Sequence, residues 1–552
     1  MDHQRETILL HGDADAIKEL VFETSSLPQI RGGSQLLVEC EAEVTRRIEQ
    51  LGGEKIYCSG GSFLFKVPAD QAEEAKKAIE KLYLDRTLMA TVTVVYEQHP
   101  LPRPSTDSPP DGWARRLWDA HQHAQQSGDF ARRVAFLIAR VREAKAQKRE
   151  VPFFETFPFG RRCESCGKRV ALEEVLRYEP GEEEVVPERV ALCQVCLRRH
   201  QEGVRGKKDK ARGRFNQEFL DFASPQAKQP PDLDHLVKSA RRTYIAFLYA
   251  DGNDIGRLLQ QVQSEDEFKA LSEALEKGTQ QALFEALREV CGPELRKSEG
   301  YWPFEIVNIG GDDVTLLVQA GYAWEVAVEF LQRFEEKIKA QITASDGLGH
   351  WPQAWPERIT ASCGIAIADV KYPVRYLELL ASDLLKQAKQ EAKARNCSAL
   401  SFLWLANPIA AEKAEPLMGH YTREPNGWDL TARPYGLDRA KQLMELVQDA
   451  SQWSRTLRHR WGEALEKGMW VSLNTVYYDI ARRKDEERAQ FAEFLSKVGR
   501  LAQREEFRTE APAPLWQPYK EGQRPRWRTA LLDVLELAEL RAMRPDVKEE
   551  EE

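Results

Sequence analysis

Phe304-Glu305-Ile306-Val307-Asn308-Ile309-Gly310-Gly311-Asp312-Asp313-Val314-Thr315-Leu316-Leu317-Val318 is a pair of apolar runs joined by a short acidic turn. Such runs on either side of Gly-Gly read as a β-hairpin, because glycine supplies the backbone freedom of a sharp turn. Adjacent carboxylates at the turn repel one another unless a cation neutralises them. Two-metal nucleotidyl transfer needs this arrangement, with carboxylates on a rigid hairpin holding Mg²⁺ or Mn²⁺. A solvated Gly-Asp turn would carry the same four letters, so the rest of the chain decides between them.

A metal-binding hairpin needs a third carboxylate from a neighbouring strand. Thr243-Tyr244-Ile245-Ala246-Phe247-Leu248-Tyr249-Ala250-Asp251-Gly252-Asn253-Asp254-Ile255-Gly256 supplies an apolar strand that runs into Asp251, with a helical segment after it. A strand ending on Asp-Gly offers a carboxylate and an accessible carbonyl, oxygen ligands that hard divalent cations prefer. If this strand pairs beside the hairpin, Asp251, Asp312 and Asp313 meet at one sheet edge. An N-capped strand-to-helix turn explains Asp251 or Asp254 alone, but not both strings together.

The pattern occurs twice. Ile8-Leu9-Leu10-His11-Gly12-Asp13-Ala14-Asp15-Ala16-Ile17-Lys18-Glu19-Leu20-Val21 aligns without gaps onto the segment starting at Ala246, with Asp13 on Asp251 and Ile17 on Ile255. Lys55-Ile56-Tyr57-Cys58-Ser59-Gly60-Gly61-Ser62-Phe63-Leu64-Phe65 falls on the acidic hairpin, with Ser62 and Phe63 in the places of Asp312 and Asp313. The first copy keeps the fold pattern without the acidic turn, so it is expected to be a structural partner of the second.

At 552 residues the chain has room for three or four domains, and 42% hydrophobic residues suffice for their cores. No apolar run is long enough to span a bilayer, and no charged-then-apolar leader is visible, so a cytoplasmic protein with no membrane partner is expected. A net charge of −9 confines any nucleic-acid contact to a local patch. Arg198-Arg199-His200 and Arg205–Arg214 form the most basic stretch, either a phosphate-reading segment or a solubilising loop.

Of nine cysteines, Cys163-x-x-Cys166 and Cys193-x-x-Cys196 form two knuckles 26 residues apart. Four thiolates so spaced suit structural Zn²⁺, with a redox pair as the alternative. Pro100–Gly112 and Pro225–Asp232 read as linkers, with helices around Trp113, Leu117 and His121 and over Phe130–Lys148. Beyond about residue 405 strand patterns stop. Helices are expected from Asp438 onward, over 451–505 and over 526–543, with a frayed acidic tail at Glu549–Glu552.

Together these strings resemble the large, polymerase/cyclase-like subunit of type III CRISPR effector complexes, of the Cmr and Csm kind. Besides the motifs above, the resemblance rests on Ile30-Arg31-Gly32-Gly33-Ser34-Gln35-Leu36-Leu37, similar to that family's loop after its first helix. It also rests on Ala361-Ser362-Cys363-Gly364-Ile365-Ala366-Ile367-Ala368, on Lys371-Tyr372-Pro373, and on Gln387-Ala388-Lys389 with Arg395-Asn396. The match runs in order from about residue 5 to 405.

The resemblance implies an α+β fold with two ferredoxin-like, nucleotide-cyclase-like palm domains, a zinc-binding helical module between them, and an all-α C-terminal domain. The expected bounds are 1–100 for a degenerate first palm, 111–222 for the zinc module, 236–405 for the second palm and 406–552 for the helical domain. It implies conversion of ATP to cyclic oligoadenylate on target RNA binding, with Asp251, Asp312 and Asp313 holding two metal ions. Gly252, Asn253, Gly310, Gly311, Lys389 and Arg395 would contact the nucleotide. Helix 376–393 is amphipathic, and Lys389 and Lys393, four apart, share a face that is either phosphate-binding or solvated.

Asn253 stands where many members have an acid, and its amide oxygen would give weaker metal binding. Expected partners are other type III subunits, including a small helical subunit, together with crRNA and target RNA. Many members begin with a His-Asp nuclease domain. This chain opens on the first palm, and none of its ten histidines is followed by aspartate, so no DNase of that type is expected. A stand-alone cyclase or polymerase, and an inactive scaffold subunit, are the other readings.

Overall fold

The computed structural model describes residues 6–97, 129–148, 159–176, 189–205, 210–345, 351–352, 355–407, 409–423, 427–503, 514–521 and 524–545. The Pro100–Gly112 linker, the helix expected around Trp113, residues 206–209 of the basic stretch and the acidic tail lie outside them.

The first palm runs β1 (Thr7–Asp15), α1 (Ile17–Phe22), α2 (Leu27–Gln50), β2 (Glu54–Ser59), β3 (Ser62–Pro68), α3 (Ala72–Thr87) and β4 (Thr91–Tyr96). Its sheet order, β2-β3-β1-β4, is that of a ferredoxin-like βαββαβ unit. Helix α4 (Phe130–Gln147), N-capped by the Asp129 side chain, packs against β1 and β4.

The cysteine module consists of the hairpin β5 (Glu173–Leu176) and β6 (Arg189–Leu192), followed by α5 (Gln194–Val204). Helices α6 (Arg214–Ala223) and α7 (Leu233–Leu236) lead into the second palm. There the order is β7 (Tyr244–Gly252), α8 (Ile255–Leu259), α9 (Glu265–Leu295), β8 (Phe304–Gly310), β9 (Asp313–Gln319), α10 (Ala320–Ala344) and β10 (Ala361–Asp369). Ser264 accepts from the Glu267 amide to cap α9, and three acids in the first turn complement the helix dipole. Helix α11 (Val374–Arg395) then crosses over to β11 (Ala399–Trp404), which joins β10 in parallel. The sheet, in the order β14 (Tyr435–Gly436)-β11-β10-β7-β9-β8, contains the first palm's arrangement with an extension beyond β10. Strand β10 is buried along nearly its whole length, as its small and apolar residues allow.

The repeat is conformational as well as sequential. Ala16 and Asp254, which open α1 and α8, both adopt the left-handed region, at φ 59° and 55°. The hairpin register shifts the expected alignment by one residue. Ser59 pairs with Ser62 in the first palm and Gly310 with Asp313 in the second. Gly61 and Ser62 therefore stand in the places of Asp312 and Asp313, and Phe63 corresponds to Val314.

Gly32 and Gly33 lie inside α2 and not in a loop. A Cβ on Gly32 would sit 1.8 Å from the Arg199 carbonyl oxygen, and one on Gly203 would sit 1.6 Å from that of Pro28. The two helices α2 and α5 thus cross backbone against backbone, which outweighs the poor helix propensity of Gly-Gly. Arg31, beside them, forms a two-pronged ion pair with Glu305 of β8 at 2.7 and 2.8 Å. Both side chains are nearly fully buried, at 2% and 1% exposure, and Asn216 and Gln229 also donate to Glu305.

The C-terminal region comprises α12 (Ala414–Met418), β12 (Thr422–Arg423), β13 (Trp428–Asp429), β14 (Tyr435–Gly436), α13 (Leu437–Ser451), α14 (Arg455–Glu466), α15 (Met469–Ala481), α16 (Asp485–Ala502), β15 (Gln517–Glu521), β16 (Arg524–Arg528) and α17 (Leu531–Arg541). It is helical, as expected, and also carries a small sheet, β12-β13-β16-β15, that the expectation of an all-α domain lacked. The helix expected over 526–543 starts at Leu531, because Arg524–Arg528 pairs as a strand with Gln517–Glu521. Arg433 ties this region to the second palm, its guanidinium 3.4 Å from the Phe402 ring centre and 3.0 Å from Asp533. No helix among the described residues is long and apolar enough to cross a membrane.

Candidate active site

Strand β7 and the β8–β9 hairpin deliver the acidic residues to one place. Ala250 pairs with Val314, so Asp251 lies opposite Asp313 one step further along. Gly311 and Asp312 form the turn, and Gly311 has φ 68° with open space where a Cβ would be. Asp312 folds back over Gly252 and takes a backbone hydrogen bond from it. A Cβ at position 252 would come within 2.6 Å of Asp312 Oδ2, so the close packing of this carboxylate needs glycine there.

Burial pushes the Asp313 carboxyl up to about 8, the Asp312 charge adds to the rise, and Lys18 opposes it. Burial raises the Asp312 carboxyl as well. Asp313 Oδ1 is buried with no hydrogen-bond partner. An orphaned carboxylate oxygen with the Asp312 charge beside it is a hard-oxygen donor of the kind divalent cations take, while Asp251 is paired with Lys389.

Lys389 of α11 pairs with Asp251 and donates to the Gly252 carbonyl at 3.2 Å. Burial pushes its ammonium down from the ordinary lysine value. Lys393, one turn on, is exposed. Arg395 is not on the Lys389 side of α11: six residues turn a helix by roughly 120° short of two full circles. It pairs with Glu391 on its own helix. The Asn253 amide is turned to β10 and its approach, donating to Thr360 Oγ1 at 2.9 Å and accepting from Ser362 Oγ at 2.8 Å. Gly310 meets Gly60 across the palm interface, with a Cβ on Gly310 falling 2.7 Å from the Gly60 Cα.

Two lysines that sequence reasoning passed over complete the picture. Lys145 of α4 binds Asp13 at 2.5 Å and the Ala14 carbonyl at 3.0 Å, repeating in the first palm what Lys389 does to Asp251 and Gly252. The signal for it lay in the repeat itself, in the helix that follows each palm's fourth strand. Lys18 of α1 reaches into the second palm, binding Glu378 at 2.6 Å and lying 4.5 Å from the Tyr249 ring centre. Between the palms is a cavity of about 150 Å³ whose lining includes Lys18, Ser34, Phe247, Tyr249, Asn308 and Asp313.

The second cluster lies in the cysteine module. The sulfurs of Cys163, Cys166, Cys193 and Cys196 all lie within 4.8 Å of one another, and Cys166 and Cys193 are 3.9 Å apart. Tetrahedral Zn–S bonds of about 2.3 Å put sulfurs roughly 3.8 Å apart, so the four residues fit a structural zinc ion. Arg199 donates to Cys196 Sγ at 2.9 Å and Arg169 to Cys166 Sγ at 3.6 Å, which offsets the thiolate charge.

Two ferredoxin-like units meeting at their hairpin tips, with turn carboxylates on only one of the two hairpins, define a double-palm protein with a single acidic turn. Residues 244–399 match the family model described as Cas10/Cmr2, second palm domain. No curated protein matches the chain. Among solved structures, the Csm1–Csm4 cassette in complex with one ATP is similar at TM-score 0.51 and 14% identity, covering 99% of this chain and 70% of that one. The same cassette in complex with pppApApA gives TM-score 0.51 and 16% identity, covering 98% and 70%. In complex with cA3 it gives 0.50 and 14%, with the same coverage. Residues 244–399 are thus a Cas10/Cmr2-type second palm, within a fold shared with the Csm1–Csm4 structures.

Proposed function

We propose that this chain is the nucleotidyltransferase subunit of a type III CRISPR complex and converts ATP into oligoadenylates, cyclised or linear. The observation that carries the reading is the β7–β9 register, which sets Asp251 level with Asp313 beside the Asp312 turn, with Lys389 paired to Asp251 and Asp313 lining the cavity between the palms. The similar Csm1–Csm4 structures hold ATP, pppApApA and cA3, which supports adenine nucleotides as substrate and product.

Asp251, Asp312 and Asp313 would hold Mg²⁺ or Mn²⁺, whose chemistry there is to lower the pKa of an attacking ribose hydroxyl and to neutralise the leaving pyrophosphate. The Lys389 ammonium stands beside them as a point charge for the triphosphate. Gly310 and Gly311 keep the turn narrow, so that phosphate oxygens can approach the backbone. The cavity between the palms offers aromatic and amide groups to a base. No protein nucleophile is required. The four cysteines would hold zinc as a structural ion.

Assembly with a Csm4-like subunit is part of this reading, supported by the similar cassettes. So are a small helical subunit, crRNA and target RNA, with Arg205–Arg214 as a basic segment for phosphate contact. The test is mass spectrometry of products from ATP with Mg²⁺ or Mn²⁺, using the chain alone and with co-purifying partners and target RNA. Oligoadenylates that vanish in Asp312→Ala/Asp313→Ala support the reading. An RNA-bound assembly that makes none leaves a scaffold subunit.

A further inference from the structure

The corner between α1 and α2 is held from two sides, and the two grips belong to the two candidate sites. On one side is the cysteine module. Arg199, fully buried, donates to the Leu20 carbonyl at 2.6 Å while its other nitrogen binds Cys196 Sγ. Glu23, at the end of α1, is met by Arg169 at 2.7 Å, Lys168 at 3.0 Å and Arg199 at 3.5 Å. Ser165, between the first two cysteines, hydrogen-bonds Thr24 and Gln29, each at 2.7 Å.

On the other side is α11. The Val374 amide, at its start, donates to Ser25 Oγ at 3.2 Å. Lys18 binds Glu378 and, at 2.9 Å, Ser382. Phe22 meets Phe247 of β7 edge-on, with ring centres 5.0 Å apart. Helix α11 is the element that carries Lys389 to Asp251.

We infer that Arg199 is a positioning residue for the second palm: with its cysteine neighbours it fixes the α1–α2 corner, and the corner fixes α11. The four-cysteine centre then sets the alignment of an active site in another domain instead of merely closing its own loop. On the cysteine side the contacts are buried and charged; on the α11 side they run through the half-exposed Lys18, the exposed Ser25 and the buried Phe22–Phe247 ring pair. A shift at the cysteine end therefore reaches α11 through the packed Phe22 ring together with the Lys18 and Ser25 bonds. The inference rests on the proposed function only for its nucleotide readout.

The test compares full-length Arg199→Met, Lys18→Gln and Lys18→Arg with the wild type. The readouts are zinc content, amide hydrogen exchange over 17–26 and 374–382, and equilibrium ATP binding. Arg199→Met keeps all four ligands and is expected to retain zinc. Loss of a partner next to a metal ligand typically costs about 10–100-fold in affinity, which a tight structural site tolerates. Exchange over both segments should speed up by about tenfold or more, with a similar loss of ATP affinity.

Lys18→Gln should loosen both 374–382 and the α1 end of 17–26 while leaving zinc content as in the wild type, and Lys18→Arg should restore the protection. Zinc retained in Arg199→Met with exchange at both segments unchanged would overturn the inference. Should that variant fail to fold, chelation of zinc from the wild type followed by zinc return gives the same readout. Protection at 17–26 and 374–382 that falls and recovers with zinc supports the coupling, and protection indifferent to zinc refutes it. A wild type that binds no ATP removes the nucleotide reading but leaves the exchange result to decide this one.

Discussion

Gly60 and Gly310 stand tip to tip, one from each palm, so close that a Cβ on Gly60 would lie 3.1 Å from the Gly310 carbonyl oxygen. The two hairpins therefore meet through backbone alone, and the acidic turn is braced by the turn that lacks acids.

Gly310→Ala is accordingly expected to separate the tips. Overpacking of this kind costs about 1–3 kcal/mol, and ATP turnover should fall although every carboxylate remains. Gly311→Ala is the contrast: its added methyl meets open space and costs only the left-handed backbone penalty, about 1–2 kcal/mol. Denaturant unfolding beside product analysis separates the two.

The raised Asp313 carboxyl makes stability depend on pH. With an ordinary value of 3.8 and a folded value of about 8, the native chain holds a proton that the unfolded chain has released throughout that interval. Stability therefore falls as pH rises from about 4 to about 8. Asp313→Asn removes this penalty, so in EDTA at pH 8 the variant should melt above the wild type by roughly 2–4 °C, and at pH 4 the two should coincide. Added Mn²⁺ should stabilise the wild type and not the variant. A thermal-shift series over pH with and without Mn²⁺ checks both statements.

Lys389 and Lys393 should part company. A hydrogen bond to a charged group is worth about 1.5–3 kcal/mol, so Lys389→Ala should weaken ATP binding by roughly 10–100-fold. Lys393→Ala, on an exposed side chain, should leave it near the wild-type value. Equal losses in both would return the whole helix face to consideration as the phosphate contact.

Asn253 is bound to β10 and its approach, not to the carboxylates. Asn253→Ala is therefore expected to lower stability by about 1–2 kcal/mol through the lost Thr360 and Ser362 bonds, with Mn²⁺ affinity close to the wild type. A large loss of Mn²⁺ binding at unchanged stability would show the amide oxygen to be a ligand after all.

The parts of this molecule visible in the sequence are those set by local chemistry. Strand-turn-strand patterning gave the acidic hairpin, a gapless match placed Asp13 on Asp251, and paired Cys-x-x-Cys knuckles announced four sulfurs that the fold brings together. What escaped was set by contacts far along the chain. Gly32-Gly33 looks like a loop because glycine is a poor helix former, and only the crossing of α5 explains it inside α2. Glu-Ala-Lys-Ala occurs at 143–146 and again at 391–394, which would match Lys145 with Lys393. The residue that repeats the contacts of Lys145 is Lys389, one turn earlier. The one-residue slip in aligning the hairpins has the same origin: the letters Gly-Gly match, but the ladder pairing decides which of them closes the turn. Arg524–Arg528, basic and proline-containing, gave no strand signal because its partners, Gln517–Glu521 and the short strand at Trp428–Asp429, complete it from outside.

The buried pair of Arg31 and Glu305 bears on how the second palm can be studied. Glu305 belongs to the acidic palm's own β8, yet its counter-charge is supplied 274 residues earlier in the chain. Excising residues 236–405 would remove Arg31, Asn216 and Gln229 together, and with them the cover over that stretch of β8. The surface those elements bury would then be exposed, against a domain stability of only about 5–15 kcal/mol. The second palm is thus a unit of inheritance without being a unit of folding, and a fragment bearing every acidic residue of the site would be a poor stand-in for the whole chain.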